Sequence, residues 1–422
     1  MIKRPIATRF APNLEFDDFL LSLKQYLRFW EWKKNEKIEK LKVFVREKFK
    51  VENVFFFDSG RSSFFVLLSA LDFSPGDEII VQGFTCVSLL WPIVEKKLKP
   101  VFCDIDETLN LDPGDLEKKI SSKTRAVVVQ HTFGFPAKIK EIKEICKKHH
   151  LFLIEDCAHC LGAKYQNDFL GKIGDFAFFS FSRDKVLSSV FGGMLWVKDK
   201  TFAKKIEKIK KTLPFPSFRF LSQILNYNIF YFLFLPFFDF FSLGKFFLKV
   251  FSKAKLFLRE VFSEEKKAKK PKFFPQKFSS LQASLIFLQF KKLNRFNEYR
   301  KKIAKIYESA LKEDEKIKII FKKIPEGFEP IFLRYPVLVE SPQKILIFFK
   351  KRKIYLEDGW QGSVILPKGA EFQKFFYQKG SCPRAEFLSQ KILNLPTNIF
   401  ISEKDAKKIV YLLEKFNKNE IN

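Results

Sequence analysis

Residues 154–165 read IEDCAHCLGAKY, residues 171–185 GKIGDFAFFSFSRDK, and residues 186–197 VLSSVFGGMLWV. Ile154 closes an apolar run, Leu151-Phe152-Leu153-Ile154, set between His149-His150 and Glu155-Asp156. A short apolar run with carboxylates at its C-terminal end is the pattern of a strand buried on both faces. Ligands of open α/β sheets sit beyond the carboxyl ends of the strands, so Asp156 is expected to face a crevice. A second strand, Phe176 to Phe181, delivers Ser180, and Lys185 follows in the loop beyond it. Gly192 and Gly193 are read as a sharp turn into a third strand, Met194 to Val197.

An acid at a strand end, a serine, a lysine five residues on and a glycine pair form an ordered set. The set resembles the pyridoxal-phosphate (PLP) core of the DegT/DnrJ/EryC1/StrS sugar aminotransferases, of PLP fold type I. That family's pattern is E-D-x-A-[QH], then G-D-x-x-x-x-S-F-x-x-x-K, then Gly-Gly. Here it is met by Glu155-Asp156-Cys157-Ala158-His159, by Gly174-Asp175 through Ser180-Phe181 to Lys185, and by Gly192-Gly193. Agreement of several parts in order and spacing is far more specific than any one of them. Alone, a lysine in a chain with 77 Lys+Arg is ordinarily solvated surface, and an aspartate a helix cap.

The chemistry calls for these residue types. PLP is an electron sink only while its ring nitrogen stays protonated, which a buried carboxylate enforces, and Asp156 suits that role. A lysine must form a Schiff base and shuttle a proton, which needs a depressed pKa, and Lys185 suits that. The resemblance further implies that Ser180 donates to the phosphate and that His159 touches the ring hydroxyl.

Strands and helices alternate from Val54 to Val197, which implies a largely parallel sheet with helices on both faces, and a smaller C-terminal α/β domain follows. Asp58-Ser59-Gly60-Arg61-Ser62-Ser63, between strand Val54–Phe57 and helix Phe64–Leu71, reads as an anion site at a helix start. It resembles the family's phosphate loop, with Arg61-Ser62 where small residues are usual, so Gly60, Arg61 and Ser62 are candidate cofactor contacts. Ser59 or Ser62 would equally cap the helix. Gly83-Phe84-Thr85-Cys86-Val87 matches another family loop, with Cys86 where members carry an aromatic that stacks on the cofactor. His131 closes strand Thr124–Gln130, and both a structural and a cofactor-side role stand for it.

Residues 1–200 are read as an N-terminal segment and large PLP-binding domain, 201–272 as a hydrophobic and basic helical insertion, and 273–422 as the small domain. Residues 220–238 carry no charge up to Phe238, yet include Gln223, Asn226, Asn228 and Pro236. A membrane span needs about 20 predominantly apolar residues, so this stretch is borderline. Phe246 to Phe262 places apolar residues at helical spacing beside Lys249, Lys253 and Arg259. Peripheral membrane contact through 220–262 and burial against a partner subunit both fit. Phe278-Ser279-Ser280-Leu281-Gln282-Ala283 resembles the opening of a long helix in the family. Just before it, members carry Asn-x-Arg, which reaches the other subunit's phosphate. Pro275 and Lys277 stand there instead, and Lys277 keeps the cation. Cys382-Pro383-Arg384-Ala385-Glu386 and Leu393-Asn394-Leu395-Pro396 match the closing elements.

A formal net charge of +29 raises a nucleic-acid partner. Lysines interleaved with glutamates, as in residues 138–144, are instead the mark of solvated helix faces, and no nucleic-acid motif is present. The 56 phenylalanines are read as core fillers in place of leucine. Scattered cysteines among apolar neighbours suggest reduced thiols and a cytoplasmic enzyme, on the inner face of the membrane if it docks there. Residues 1–5 show no apolar signal core. Cys157 and Cys160 have metal-ligand spacing without a second ligand pair, so no metal is expected. The resemblance implies a homodimer that moves an amino group from an amino acid, typically glutamate, to a nucleotide-linked keto-sugar. Dehydratase relatives replace the lysine by histidine, and Lys185 argues against them. The competing reading is a non-catalytic or regulatory relative that keeps the fold, suggested by Arg61, Cys86, Pro275 and Lys277.

Overall fold

The computed structural model describes residues 4–312, 314–321 and 324–417. The first three residues of the stretch read for a signal core lie outside them. Seven strands form the central sheet: β1 Asn53–Phe57, β2 Glu78–Gln82, β3 Lys99–Cys103, β4 Thr124–Gln130, β5 Phe152–Asp156, β6 Phe176–Ser180 and β7 Gly193–Val197. Their order is β1-β7-β6-β5-β4-β2-β3, and only β7 runs against the rest. Five neighbouring parallel strands need crossovers, which the intervening helices supply.

Alternation along the strands explains why both faces are covered. Phe55, Phe57, Phe176 and Phe178 join one apolar cluster, with Phe64 and Leu67 of helix α1 (Gly60–Ala70). Val54, Phe56, Ala177 and Phe179 join another on the opposite face, with Leu41, Val45 and Phe290. A run that reads as continuous phenylalanine is therefore split between two layers.

The register gathers the carboxyl ends. Asp156 lies opposite both Phe178 and Gln130, Ser180 opposite Gly193, and Gly193 opposite Phe57. Neither Gly192 nor Gly193 takes a positive φ, contrary to the turn expected from the sequence. Gly193 is required for another reason: a Cβ there would lie 2.2 Å from the Ser59 carbonyl oxygen. The chain leaving β1 passes directly over it, and only a bare backbone fits.

Helix α2 (Phe218–Phe234) and helix α3 (Leu243–Lys253) follow β7. The second is shorter than the expected 246–262, because Lys255 turns left-handed and the chain runs on irregularly to residue 279. The 32-residue helix α4, Ser280–Leu311, starts from a capping box between Ser279 and Gln282. Gln282 also donates to the Phe191 carbonyl at 2.8 Å, tying α4 to the loop before β7. The far half of α4 enters the small domain, where Tyr307, Val337, Leu395 and Ile409 pack around a three-stranded antiparallel sheet. Among the described residues no helix is long and apolar enough to cross a membrane.

Candidate active site

Two consecutive carboxylates end β5, and the pleat sends them to opposite faces. Glu155 accepts from the backbone N–H groups of Gly171, Ile173 and Gly174 at 2.6–2.8 Å and meets His131 Nε2 at 3.2 Å. Burial pushes its carboxyl up, but His131 and these N–H groups hold it below the ordinary value. His131 spends its other nitrogen on the Ala137 N–H at 3.1 Å, so it braces Glu155. His131, Cys157 and Cys160 do cluster within 4.8 Å, but both ring nitrogens of His131 are already engaged.

Asp156 faces the crevice. It is buried, and its Oδ1 accepts from the Ala158 N–H at 3.0 Å. Burial pushes its carboxyl up to about 6, against the pull of that N–H and of the neighbouring Lys185 and His131. A carboxylate raised in this way is poised to be stabilised by a cationic partner.

Lys185 comes off the loop that follows Ser180. The loop is pinned from outside: Asn13 donates to the Lys185 carbonyl at 2.7 Å, and Arg300 donates to both Asn13 and the Val186 carbonyl. Lys185 Nζ lies 2.9 Å from His159 Nε2. Burial lowers the amine's pKa, with Arg334 adding to that effect and Asp184 opposing it. Burial, Lys185 and Arg334 likewise take His159 well below its ordinary value. His159 Nδ1 accepts from the Phe133 N–H at 3.4 Å. The neutral ring then carries its proton on Nε2, on the side that faces the Lys185 amine.

Gly60, Arg61, Cys86, Asp156, His159, Ser180 and Lys185 line one cavity of about 250 Å³. Gly60 opens α1, whose cap is the Ser59 hydroxyl accepting from the Ser62 N–H at 3.2 Å. The helix starts four residues earlier than its apolar run suggests, which puts its first turn into the site. A Cβ at Gly60 would stand 2.9 Å from the Ser180 Cβ, so the close approach of cradle and strand requires glycine. Ser62 is fully buried, with its hydroxyl 2.9 Å from that of Ser59, and does not line the cavity.

Arg61 reaches the cavity edge, but its guanidinium is committed elsewhere. It pairs with the buried Glu265, donates to the Glu260 carbonyl at 2.7 Å and lies 5.0 Å from the Phe274 ring. Glu265 also accepts from Ser88 Oγ and Trp91 Nε1, both at 3.0 Å. Lys277 does not line the cavity of its own chain; its ammonium sits 5.0 Å from the Phe215 ring.

Sequence reasoning missed the groups that come from the small domain. Arg334 donates to Asp184 at 2.7 Å and pairs with Asp358 at 2.9 Å. Trp360 also lines the cavity and stands edge-on to His159, with centroids 5.0 Å apart. Only the acid just before Lys185 was a local signal. Arg334 and Trp360 lie about 150 residues away in a part with no chemical motif.

The model of the DegT/DnrJ/EryC1/StrS aminotransferase family matches residues 16–218 and 258–414. The chain is 26% identical to a pleiotropic regulatory protein of Geobacillus stearothermophilus, over 85% of this chain and 83% of that one. It is 35% identical to a GDP-perosamine synthase of Escherichia coli O157:H7, over 41% of this chain and 48% of that one. Solved structures with the same fold include an aminotransferase from Streptoalloteichus hindustanus, at TM-score 0.76 and 19% identity over 99% of this chain and 100% of that one. Another is a Helicobacter pylori aminotransferase involved in the biosynthesis of pseudoaminic acid, at TM-score 0.75 and 20% identity over 98% and 100%.

Proposed function

The chain belongs to the DegT/DnrJ/EryC1/StrS aminotransferase family, PLP-dependent enzymes acting on sugars, and from that premise we propose that it transfers an amino group from glutamate to a nucleotide-linked keto-sugar. The observation that carries this reading is the convergence of Lys185, Asp156, His159, Ser180 and Gly60 on one cavity at the carboxyl edge of the sheet.

The residues present suit PLP. The start of α1, through the N–H groups of Gly60 and Arg61, and Ser180 would hold the phosphate. Asp156 would keep the proton on the ring nitrogen, and His159 would orient the ring from the β5 side. Lys185 would hold the cofactor through Nζ. When bound, PLP supplies an electron sink for the carbon that loses or gains a proton. Lys185 Nζ, its pKa lowered by burial, would take that proton and return it. Arg334 and Asp184 fix the charge beside it.

Two further assignments accompany the enzyme. The family model passes over residues 219–257, the middle of the insertion read over 201–272, which supports that insertion in its central part. Its tip exposes Phe240, Phe241, Phe246 and Val250 beside the exposed Lys249 and Lys253, a chemistry matched to an anionic lipid surface. Lys277 borders a second apolar surface, with Leu27, Phe29, Trp30 and Phe218 exposed, which suits another copy of this chain and a homodimer. The enzyme reading is tested by offering the PLP-loaded protein a series of nucleotide-linked amino sugars with 2-oxoglutarate. Glutamate should form with at least one of them. Turnover with free amino sugars alone would remove the nucleotide from the proposal.

A further inference from the structure

A larger cavity, about 550 Å³, opens beside the catalytic one, and Arg9, Asp184, Glu260 and Gly359 line both. Its outer wall is built by α2, through Tyr227 and Tyr231, and by Tyr355 of the small domain. Most of α2 lies in the stretch that the family model does not match. The insertion thus adds a chamber next to the chemistry.

We propose that this chamber receives the nucleoside diphosphate end of the sugar substrate. The proposal rests on the nucleotide-linked reading above and locates that end in the molecule. Size is the first argument. The catalytic cavity, about 250 Å³, has room for a sugar ring beside a cofactor, whereas 550 Å³ lies within the range of drug-sized ligand sites and far exceeds an amino acid.

Charge is the second. Among the cations on this wall, Arg9 pairs with Glu260 and Asp184, and Lys245 pairs with Asp239 at 2.8 Å. Arg183 has no carboxylate partner among the described residues. It donates to the Leu258 carbonyl, its Nε has no hydrogen-bond partner, and its guanidinium lies 4.4 Å from the Tyr227 ring centre. A desolvated guanidinium with no carboxylate at ion-pair distance gains from an arriving anion, and its planar fork matches a phosphate. The exposed Glu357 and Lys350 at the mouth offset each other in sign.

Aromatic surface is the third. Tyr227 and Tyr231 stack with centroids 4.1 Å apart, and Tyr231 and Tyr355 are both partly exposed on the wall. Such rings offer a base a stacking platform. A cation beside rings on one wall suits a nucleotide better than a simple anion.

The PLP-loaded protein should be titrated calorimetrically with uridine, guanosine and thymidine diphosphates, and with inorganic phosphate. Binding of at least one diphosphate is expected, with inorganic phosphate at least tenfold weaker. Arg183→Gln should weaken the diphosphate about tenfold, the equivalent of about 1.4 kcal/mol. Should that variant fail to fold, Tyr231→Ala is read instead, with a similar loss expected. Failure of all three diphosphates, equal binding of inorganic phosphate, or unchanged affinity in a folded variant would overturn the subsite. The spectral response of the wild-type protein to glutamate is recorded in parallel. Its absence would count against the aminotransferase reading, whereas a normal response without diphosphate binding would count against the chamber alone.

Discussion

Asp184 accepts a hydrogen bond from Arg334 at 2.7 Å, one residue before the lysine of the site. The two charges act on Lys185 with opposite signs, on top of the burial that lowers its pKa. Asp184→Asn should therefore lower the lysine pKa further, and Arg334→Met should raise it. Arg334→Met also leaves Asp184 and Asp358 without their buried partner, at a cost of about 3–5 kcal/mol. The pH dependence of PLP capture reads the first effect and thermal unfolding the second. A shift in the same direction for both variants would contradict the charge balance.

Borohydride treatment of the PLP-loaded protein should leave a pyridoxyl group on the peptide containing Lys185. Attachment to another lysine would reject the assignment. Asp156→Asn should keep PLP bound, with turnover falling by about 10² or more, because the ring nitrogen loses the charge that holds its proton.

Asp58, just before the cap of α1, gives a pH prediction independent of catalysis. Its carboxyl is fully buried, accepts from the Gln276 N–H at 3.1 Å and leaves Oδ2 without a partner. Burial pushes it up to about 7. The folded chain thus holds this proton more tightly than the unfolded chain. Its contribution is fully favourable below about pH 4 and is lost as pH rises through 7. Asp58→Asn should be more stable than the wild type at pH 8, by roughly 4 kcal/mol, and the gap should close as the pH approaches 4. A gap independent of pH in thermal scans would reject the titration.

Flotation with anionic liposomes examines the insertion tip. The wild type should float with vesicles containing phosphatidylserine and not with neutral ones. Phe241→Ser with Phe246→Ser should abolish flotation, and Lys249→Glu with Lys253→Glu should weaken it severalfold. Failure of the wild type to float would leave the tip as a protein-facing surface.

Light scattering should report a dimer. Lys185→Ala and Lys277→Ala proteins, each inactive alone, should regain part of the activity when mixed, since one site per hybrid would be intact. An active monomer, or no recovery in proven hybrids, would remove the cross-subunit role of Lys277.

The sheet and its business edge were legible because strand ends carry their own punctuation. Asp156, Ser180 and Lys185 follow one another at spacings that a strand, a loop and a crossover impose, and the structure brings them into one cavity. Gly60 was readable for the same reason. Ser62 was not, since whether a serine faces a ligand or its own helix cap depends on a single turn of phase. Arg61 looked like an anion contact because Glu265, its partner, lies 204 residues further on. Arg334, Asp358 and Trp360 were invisible for that reason too: the small domain folds back over the site, and no local pattern records a contact made across half the chain.

The Arg61–Glu265 pair also bears on how this chain can vary. A guanidinium buried on the cradle helix is neutralised by a carboxylate from the segment after the insertion, which in turn holds Ser88 and Trp91. Neither partner can be exchanged alone without stranding a charge. Shuffling between this chain and one with small residues in the cradle would therefore succeed only in blocks that carry both positions. The pair acts as a compatibility lock between segments that lie far apart in the gene.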